Sequence, residues 1–219
     1  MIPARRTRIK FCGMTSADEV ALAVAAGVDA VGVILAPSAR RVPPERVAEL
    51  AKAIPPFVAR VGVLANQGEE EASLLLGLGF TLQFSGSESA ERCEMLSRGA
   101  PYLKVFHVDR DARSIDDAGS IAFPHALWMF DTRAAGRAGG SGLTFDWTVL
   151  QSTAHERAIV VSGGLTSDNV AACVRAVRPY AVDVRSGIET EGRKDVAKMG
   201  AFVAAVREAD ELRMHARID

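Results

Sequence analysis

The feature that most constrains the fold is a pattern repeated along nearly the whole chain: a short β-branched or apolar run, then a longer Ala-rich amphipathic run. About eight such pairs fit into the chain, which has 219 residues. Strands that alternate with helices of this length predict βαβ units and a parallel sheet. An open doubly wound sheet uses fewer strands, whereas a TIM barrel needs eight. We therefore predict an α/β protein, a single (β/α)8 barrel domain over residues 1–219.

The pattern gives explicit bounds for the elements. The predicted strands are Arg8–Cys12, Ala30–Leu35, Ala59–Leu64, Thr81–Phe84, Tyr102–Phe106, Ala126–Asp131, Ala158–Val161 and Ala181–Arg185. The predicted helices are Ala17–Ala26, Pro44–Ala53, Glu69–Leu78, Glu88–Ser97, a weak Ala112–Gly119, a short Phe145–Leu150, Ser167–Ala176 and Asp195–Ala209. Strands that are almost wholly apolar are typical of a sheet covered on both faces.

Charge and cysteine content exclude several classes of protein. Lys plus Arg number 26 and Asp plus Glu number 27, a net charge of −1, so no basic excess attracts nucleic acid or an anionic membrane. No apolar run approaches the roughly 18 residues of a membrane span, and no apolar segment typical of a secretory signal follows the N-terminal arginines. Cys12, Cys93 and Cys173 are too scattered for a disulfide framework or a zinc site. We expect a cytoplasmic protein.

The barrel hypothesis converts strand ends into candidate site residues, because active sites of TIM barrels lie at the carboxyl ends of the strands. Lys10 and Cys12 are two positions apart at the end of the first strand and share one face. A thiol beside an ammonium group has a lowered pKa and can act as a general base. The alternative is an inert buried thiol, the usual state of a free cysteine.

Asp131 closes the apolar run of the sixth strand. A carboxyl group against apolar walls has a raised pKa and can keep a proton for donation. The alternative is that Asp131 caps the turn that follows, which is a common role for Asp at the end of a strand.

Two glycine-containing loops are candidates for phosphate binding. Gly163 and Gly164 follow the seventh strand and precede a helix, and Ser186 and Gly187 follow the eighth. Glycine lets the backbone approach a phosphate, and the loops after strands 7 and 8 are the customary phosphate site of TIM barrels. Ordinary turns would contain the same residues.

Arg40 and Arg41 lie in the loop after the second strand, where one of them could bind a carboxylate or phosphate through two hydrogen bonds. The alternative, which we favour from position alone, is a solvated basic pair. Neither a P-loop nor a dinucleotide-binding glycine motif occurs. The histidines show no spacing typical of metal ligands; they are His107, His125, His155 and His215.

Several motifs in the right order resemble one family, the phosphoribosylanthranilate isomerases of tryptophan biosynthesis. They are K-F-C-G at Lys10–Gly13, G-G-S-G-L-T-F-D-W at Gly139–Trp147, S-G-G-L-T at Ser162–Thr166 and D-V-R-S-G-I-E at Asp183–Glu189. The resemblance implies a (β/α)8 barrel without metal or cofactor that performs an Amadori rearrangement. Its small-molecule substrate is N-(5-phosphoribosyl)anthranilate, and its product is 1-(2-carboxyphenylamino)-1-deoxyribulose 5-phosphate.

The resemblance also implies roles for individual residues. Asp131 would be the general acid that protonates the furanose ring oxygen, and Cys12 the general base that removes the C2′ proton. Arg40 would face the anthranilate carboxylate. Backbone groups near Gly163 and Gly164, and near Ser186 and Gly187, would hold the phosphate. Strands 1 and 8 are neighbours in a closed barrel, so we expect Lys10 and Asp183 to meet and to take part in substrate binding.

The chain departs from the family pattern at four positions, where Ser85, Leu143, Arg41 and Arg185 replace a usual histidine, lysine, aromatic residue and serine. These departures allow a relative that isomerises another phosphorylated aminosugar. A third hypothesis is a non-catalytic barrel that binds phosphorylated metabolites, but the retained acid and base count against it. The oligomeric state, monomer or homodimer, is left open, and the loop Ala134–Gly142 is a candidate lid.

Overall fold

A computed structural model describes residues 6–115, 123–132 and 144–215. Eight strands, β1 to β8, follow one another in chain order around a closed barrel, which confirms the predicted (β/α)8 fold. They are Arg8–Cys12, Ala30–Ile34, Ala59–Leu64, Thr81–Phe84, Tyr102–Val108, Ala126–Thr132, Ile159–Val161 and Ala181–Val184. The candidate lid Ala134–Gly142 and Leu143 lie outside the described residues.

Seven helices occur among the described residues, α1 to α7 in chain order. They are Ala17–Ala26, Pro44–Ala53, Glu69–Gly77, Ala90–Ser97, Gln151–Glu156, Val170–Val177 and Val196–His215. The first two match their predicted bounds because the sequence carries their end signals. Ser16 accepts a hydrogen bond from the Glu19 N–H at the start of α1, and Gly27 ends it in the left-handed conformation with φ 86°.

Three parts of the helix and strand prediction need correction. Residues 112–115 of the predicted helix Ala112–Gly119 form a bend and irregular backbone, and the remainder of that helix lies outside the described residues. The short predicted helix Phe145–Leu150 is a 3₁₀ turn that leads directly into the unpredicted α5. After β8, a second 3₁₀ turn leads into a two-stranded hairpin, β9 at Glu189–Thr190 and β10 at Arg193–Lys194, which was also not predicted.

The chain divides into two compact units. The carboxyl-terminal unit comprises Met1–Ile9, His107–Ile115 and Phe130–Asp219, and the amino-terminal unit comprises Lys10–Phe106 and Asp116–Met129. The prediction of a single domain stays a prediction. No helix in the described part of the chain combines the length and the apolar character that a membrane span requires.

In the amino-terminal unit, strand register shows which residues face the barrel interior. A Cβ added to Gly62 would lie 2.5 Å from Leu75 of α3, so Gly62 faces the helices. Val61, one position earlier, therefore faces inward. Val61 is in register with Gly32, and Gly32 with Cys12, so both of these residues face inward too.

In the carboxyl-terminal unit, the beginning of the chain is fixed to its last helix. The backbone N–H and the hydroxyl of Thr7 donate hydrogen bonds of 2.5 and 2.9 Å to the carboxylate of Asp210 in α7. The Arg8 N–H donates to the Tyr180 carbonyl at 3.0 Å, and the Arg8 guanidinium lies 4.2 Å from the centre of the Tyr180 ring. These contacts hold the start of β1 beside β8.

Candidate active site

In the amino-terminal unit, the side chains of Lys10 and Cys12 lie beside Gly32, next to the position that a side chain at residue 32 would occupy. A Cβ built on Gly32 would lie 2.8 Å from the Cys12 Sγ and 3.1 Å from the Lys10 Nζ. The sulfur and the ammonium nitrogen are therefore within about 6 Å of each other, a range in which opposite charges shift pKa values. Both residues are buried. The structure thus brings the two residues together as the sequence predicts.

Cys12 also lies in an apolar cluster. Cys12 packs with Ile34, Ala36 and Val63 in one buried cluster. The carbonyl of Gly32 accepts hydrogen bonds from the N–H groups of the two residues after Cys12, at 2.8 and 3.0 Å. The thiol therefore packs among apolar side chains, where a nearby cation favours its charged form.

Arg40 is buried and held in place by its own unit. Its Nε donates to the Gly13 carbonyl at 2.6 Å, and its Nη2 donates to both oxygens of Glu19 at 2.5 Å. Burial works to raise the pKa of Glu19, but the hydrogen bonds from Arg40 and Thr15 outweigh it and hold this pKa below its ordinary value. The alternative of a solvated basic pair is therefore wrong for Arg40, while Arg41 is exposed. Whether Arg40 binds a substrate carboxylate stays a prediction.

In the carboxyl-terminal unit, Asp131 is half-buried near the end of β6. Burial raises the pKa of its carboxyl group, and the negative charge of Asp183 raises it further. Interactions with His107, Ser162 and Arg185 oppose these effects without cancelling them. A carboxyl group in this environment keeps its proton to higher pH, as a general acid requires.

Gly163 lies in close contact with Asp131 and Thr132 at the end of β6. A Cβ on Gly163 would lie 2.2 Å from the Thr132 nitrogen and 2.5 Å from the Asp131 Oδ1, and its φ of 82° also favours glycine. The Thr132 hydroxyl donates to the Gly163 carbonyl at 3.2 Å. Glycine at 163 therefore allows the loop after β7 to press against the carboxyl group of Asp131.

The two glycine loops predicted to bind phosphate approach each other backbone to backbone. A Cβ on Gly187 would lie only 1.9 Å from the Leu165 carbonyl oxygen. Asn169 closes the loop after β7, because its side chain accepts from the Thr166 N–H and donates to the Gly164 carbonyl, both at 2.9 Å. The structure brings the predicted loop residues together, and phosphate binding by them stays a prediction.

The predicted meeting of Lys10 and Asp183 also stays a prediction, although both side chains are buried.

Two further polar residues of the barrel strands, His107 and Gln83, were not predicted as site residues. His107 is an exposed residue near the end of β5 that acts on the charge of Asp131. Gln83 of β4 is buried, donates from Nε2 to Ser85 at 3.2 Å, and its Oε1 has no hydrogen-bond partner among the described residues. A polar residue inside an otherwise apolar strand was the available signal for Gln83.

Metal ligands were not predicted in this chain. Within residues 6–115, 123–132 and 144–215, no group of three His, Cys, Asp or Glu side chains is arranged to hold a metal ion.

The chain is similar to known proteins over most of its length. A model of the family described as N-(5'phosphoribosyl)anthranilate (PRA) isomerase matches residues 9–205. An N-(5'-phosphoribosyl)anthranilate isomerase from Dechloromonas aromatica (strain RCB) is 46% identical over 211 residues, which cover 94% of this chain and 99% of that protein.

Solved structures agree with the sequence matches. The crystal structure of phosphoribosyl anthranilate isomerase from Thermotoga maritima has a TM-score of 0.83 at 31% identity and covers 92% of this chain and 99% of its own. A second solved isomerase, in complex with reduced 1-(o-carboxyphenylamino)-1-deoxyribulose 5-phosphate, has a TM-score of 0.79 at 29% identity with the same coverage. The chain therefore belongs to the N-(5'-phosphoribosyl)anthranilate isomerase family.

Proposed function

We propose that this enzyme converts N-(5'-phosphoribosyl)anthranilate into 1-(2-carboxyphenylamino)-1-deoxyribulose 5-phosphate in tryptophan biosynthesis, with Asp131 as acid and Cys12 as base. The observation that carries the assignment of roles is the raised pKa of Asp131, caused by burial and by Asp183. An Amadori rearrangement must give a proton to an oxygen and take another from a carbon, and a protonated carboxyl group and a thiolate suit these two tasks.

The first step opens the sugar ring. The carboxyl group of Asp131 gives its proton to the furanose ring oxygen while the bond between C1′ and that oxygen breaks. The lone pair of the anthranilate nitrogen forms a C=N bond to C1′, and a protonated Schiff base results. The resulting carboxylate lies near His107 and Arg185, whose interactions favour its charged form.

The second step moves the double bond. The thiolate of Cys12 takes the proton from C2′, and the electron pair of that C–H bond forms a C1′=C2′ bond while the iminium electrons return to nitrogen. The enolamine then gains a proton at C1′ and loses one from the C2′ hydroxyl, which leaves the ketone. The ammonium group of Lys10, within about 6 Å of the sulfur, favours the thiolate before each turnover.

The substrate carries a negative charge at each end, on its phosphate and on its anthranilate carboxylate, and we expect different residues to bind the two groups. The loops around Gly163 and Gly164, and around Ser186 and Gly187, are suited to the phosphate, because they meet through backbone atoms. Arg40 would bind the anthranilate carboxylate while it shares its guanidinium with Glu19. We expect Lys10 and Asp183 to complete the binding site.

The direct test follows the loss of fluorescence as purified enzyme consumes phosphoribosylanthranilate. We expect turnover by the wild type and its loss in Cys12→Ala and Asp131→Ala. Cys93→Ala is the matched control, because Cys93 is a buried residue of α4 whose pKa burial raises to about 11. Turnover that survives either site substitution would contradict the assigned roles.

A second candidate function is the isomerisation of a different phosphorylated aminosugar. It is favoured by Ser85, which accepts a hydrogen bond from the buried Gln83 where the family usually has histidine. Comparison of kcat/KM for phosphoribosylanthranilate with that for aminoaldose phosphates lacking the aromatic carboxylate separates the two. A non-catalytic phosphometabolite-binding barrel predicts no turnover of either substrate.

We propose a cytoplasmic location, which the state of the cysteines supports. The cysteines Cys12, Cys93 and Cys173 are all free thiols, and free thiols are normal in a reducing cytoplasm. Fractionation of cells that express the enzyme would test this location.

The oligomeric state and the partners are separate questions. Sedimentation velocity would separate a monomer from a homodimer. The net charge of −1 gives no reason to expect nucleic acid as a partner.

A further inference from the structure

Gly32 occupies a position where a glycine is not needed for its backbone conformation. It lies within the regular strand β2, in register with Cys12 on one side and Val61 on the other. In a strand, alanine is tolerated at least as well as glycine, because glycine loses more backbone entropy on folding. The reason for glycine at this position must therefore be the space beside it.

That space is filled by the two residues with proposed chemical roles. The missing side chain of Gly32 would lie 2.8 Å from the Cys12 Sγ, 3.1 Å from the Cys12 Cα and 3.1 Å from the Lys10 Nζ. Two of the three are the groups whose charges matter, and the third is backbone that cannot easily withdraw.

The backbone of Gly32 is also fixed against movement. Its carbonyl accepts hydrogen bonds from the N–H of Gly13 at 2.8 Å and from the N–H of Met14 at 3.0 Å. These bonds tie β2 to the turn directly after Cys12. A methyl group at 32 could therefore be accommodated only if the thiol or the ammonium group moved.

We infer that Gly32 is a positioning residue, whose absent side chain provides the space in which the Lys10 ammonium lies beside the Cys12 thiol. The inference rests on the proposed function for the statement that this thiol is the base of the reaction. The contact itself is a property of the folded protein and can be measured without substrate.

The pH at which the Cys12 thiol ionises depends on the charged groups around it. Lys10 lies on the same strand face, and the packing partners Ile34, Ala36 and Val63 carry no charge. The ion pair formed by Arg40 and Glu19 contacts the Gly13 carbonyl, one residue after Cys12. On β8, Asp183 is a buried acidic residue of the carboxyl-terminal unit.

The test compares two glycine-to-alanine variants on neighbouring strands. Gly32→Ala places its methyl group against the thiol and the ammonium group. Gly62→Ala is the matched control, since its methyl group would lie 2.5 Å from Leu75 on the helix side of β3 and away from Cys12. Both variants add one methyl group to a strand, and both are checked by circular dichroism and thermal unfolding.

The readout is the pH dependence of Cys12 alkylation by iodoacetamide, measured on the tryptic peptide by mass spectrometry. Cys93 and Cys173 stay largely unreacted, because burial raises their pKa values to about 11 and about 12. We expect a wild-type midpoint below the ordinary thiol value of about 8.5. In Gly32→Ala the midpoint should rise by on the order of one pH unit, while Gly62→Ala keeps the wild-type midpoint.

A double-variant comparison isolates the effect of Gly32 on the interaction between Lys10 and Cys12. Lys10→Met should raise the alkylation midpoint in the wild-type background and change it little in the Gly32→Ala background, because the ammonium group has already been displaced. In the turnover assay, Gly32→Ala should lower kcat by roughly 10-fold to 100-fold. Equal effects of Lys10→Met in both backgrounds would overturn the inference.

The inference and the proposed function fail in distinguishable ways. If wild-type enzyme converts phosphoribosylanthranilate but Gly32→Ala leaves the midpoint at the Gly62→Ala value, the role of Gly32 is wrong and the function stands. If the midpoint shifts as expected but no variant or wild type converts this substrate, the substrate is wrong and the placement of Lys10 by Gly32 stands.

Discussion

The proposed base Cys12 and the proposed acid Asp131 are placed in similar ways but in opposite electrostatic environments. In the amino-terminal unit, Cys12 lies against Gly32 of the neighbouring strand, with the Lys10 ammonium group beside it. In the carboxyl-terminal unit, Asp131 lies against Gly163 after the neighbouring strand, with the negative charge of Asp183 acting on it. Each proton-transfer group thus approaches a glycine, where no Cβ stands in the way.

The difference lies in what each environment does to a proton. A nearby cation favours loss of the thiol proton, whereas burial and a nearby anion favour retention of the carboxyl proton. Environments that push two pKa values apart are what allow one group to act as base and the other as acid at the same pH. Single substitutions near Asp131 or near Cys12 test the two environments separately, and we expect them to differ in the size of their effect on turnover.

The largest effect is expected from Asp131→Asn. Turnover should fall by about 10²-fold to 10⁴-fold, which is the usual contribution of a general acid. Burial, together with Asp183, raises the pKa of Asp131, so its stabilising contribution is present at low pH and is lost as pH rises through that pKa. The amide carries no charge at any pH, so thermal unfolding at about pH 8 should occur at the same or a higher Tm.

The result would be contradicted by a variant that unfolds at a clearly lower Tm at alkaline pH, because that would mean that the Asp131 carboxylate stabilises the fold. Asp168→Asn, at an exposed position in the loop before α6, is the control for substitution of a carboxylate by an amide. It should leave both turnover and Tm unchanged.

Gly163→Ala should have the next largest effect. Its methyl group would meet the Thr132 backbone nitrogen and the Asp131 carboxyl group, so turnover should fall by roughly 100-fold. The positive φ adds a stability loss of about 1–3 kcal/mol. Gly192→Ala is matched to it, with φ 75° and no atom within 4 Å of the added carbon. The control should lose stability and keep its turnover; equal turnover in the two variants would refute the contact.

Lys10→Met removes the cation from the base side. Turnover near pH 7 should fall by about 10-fold and should recover as pH rises through the ordinary thiol pKa of about 8.5, because the thiolate then forms without help. The pH–rate profile measures this shift of the acidic limb. Lys52→Met, at an exposed position of α2, is the control. An unchanged acidic limb in Lys10→Met would show that the ammonium group has no influence on Cys12.

The smallest effect is expected from Arg185→Ser, on the acid side. Burial is the main cause of the raised pKa of Asp131, and the Arg185 guanidinium works against it. Its removal should raise that pKa further, so the alkaline limb of the pH–rate profile should move upward by less than about one pH unit. A downward shift would contradict the assigned direction. Exposed Arg193→Ser in β10 tests whether any loss of positive charge in this region has the same effect.

The elements that the sequence predicts most closely are those with local causes. Helix α1 begins after Ser16 and ends at Gly27, and both residues act on their own neighbours in the chain. Strand polarity likewise pointed to Cys12 and Asp131, because each polar or reactive residue ends an apolar run. Such signals need no knowledge of what lies across the barrel.

The features that were missed depend on contacts between distant parts of the chain. Arg40 looks like half of a solvated basic pair until Glu19, which is 21 positions earlier, is seen to neutralise it in a buried site. Gly32 looks like an ordinary strand glycine until Lys10 and Cys12 are found on its open side. Neither partner can be deduced from hydrophobic periodicity, because that pattern specifies faces and not the atoms that meet on them.

The hydrogen bonds between Thr7 and Asp210 have a consequence for how the polypeptide is made. Residues 203 positions apart hold the start of the first strand in place. Asp210 is synthesised 203 residues after Thr7, so the N–H and hydroxyl of Thr7 cannot make these hydrogen bonds before α7 has been synthesised. The start of β1 is therefore fixed to its partner in α7 only after that helix has left the exit tunnel of the ribosome.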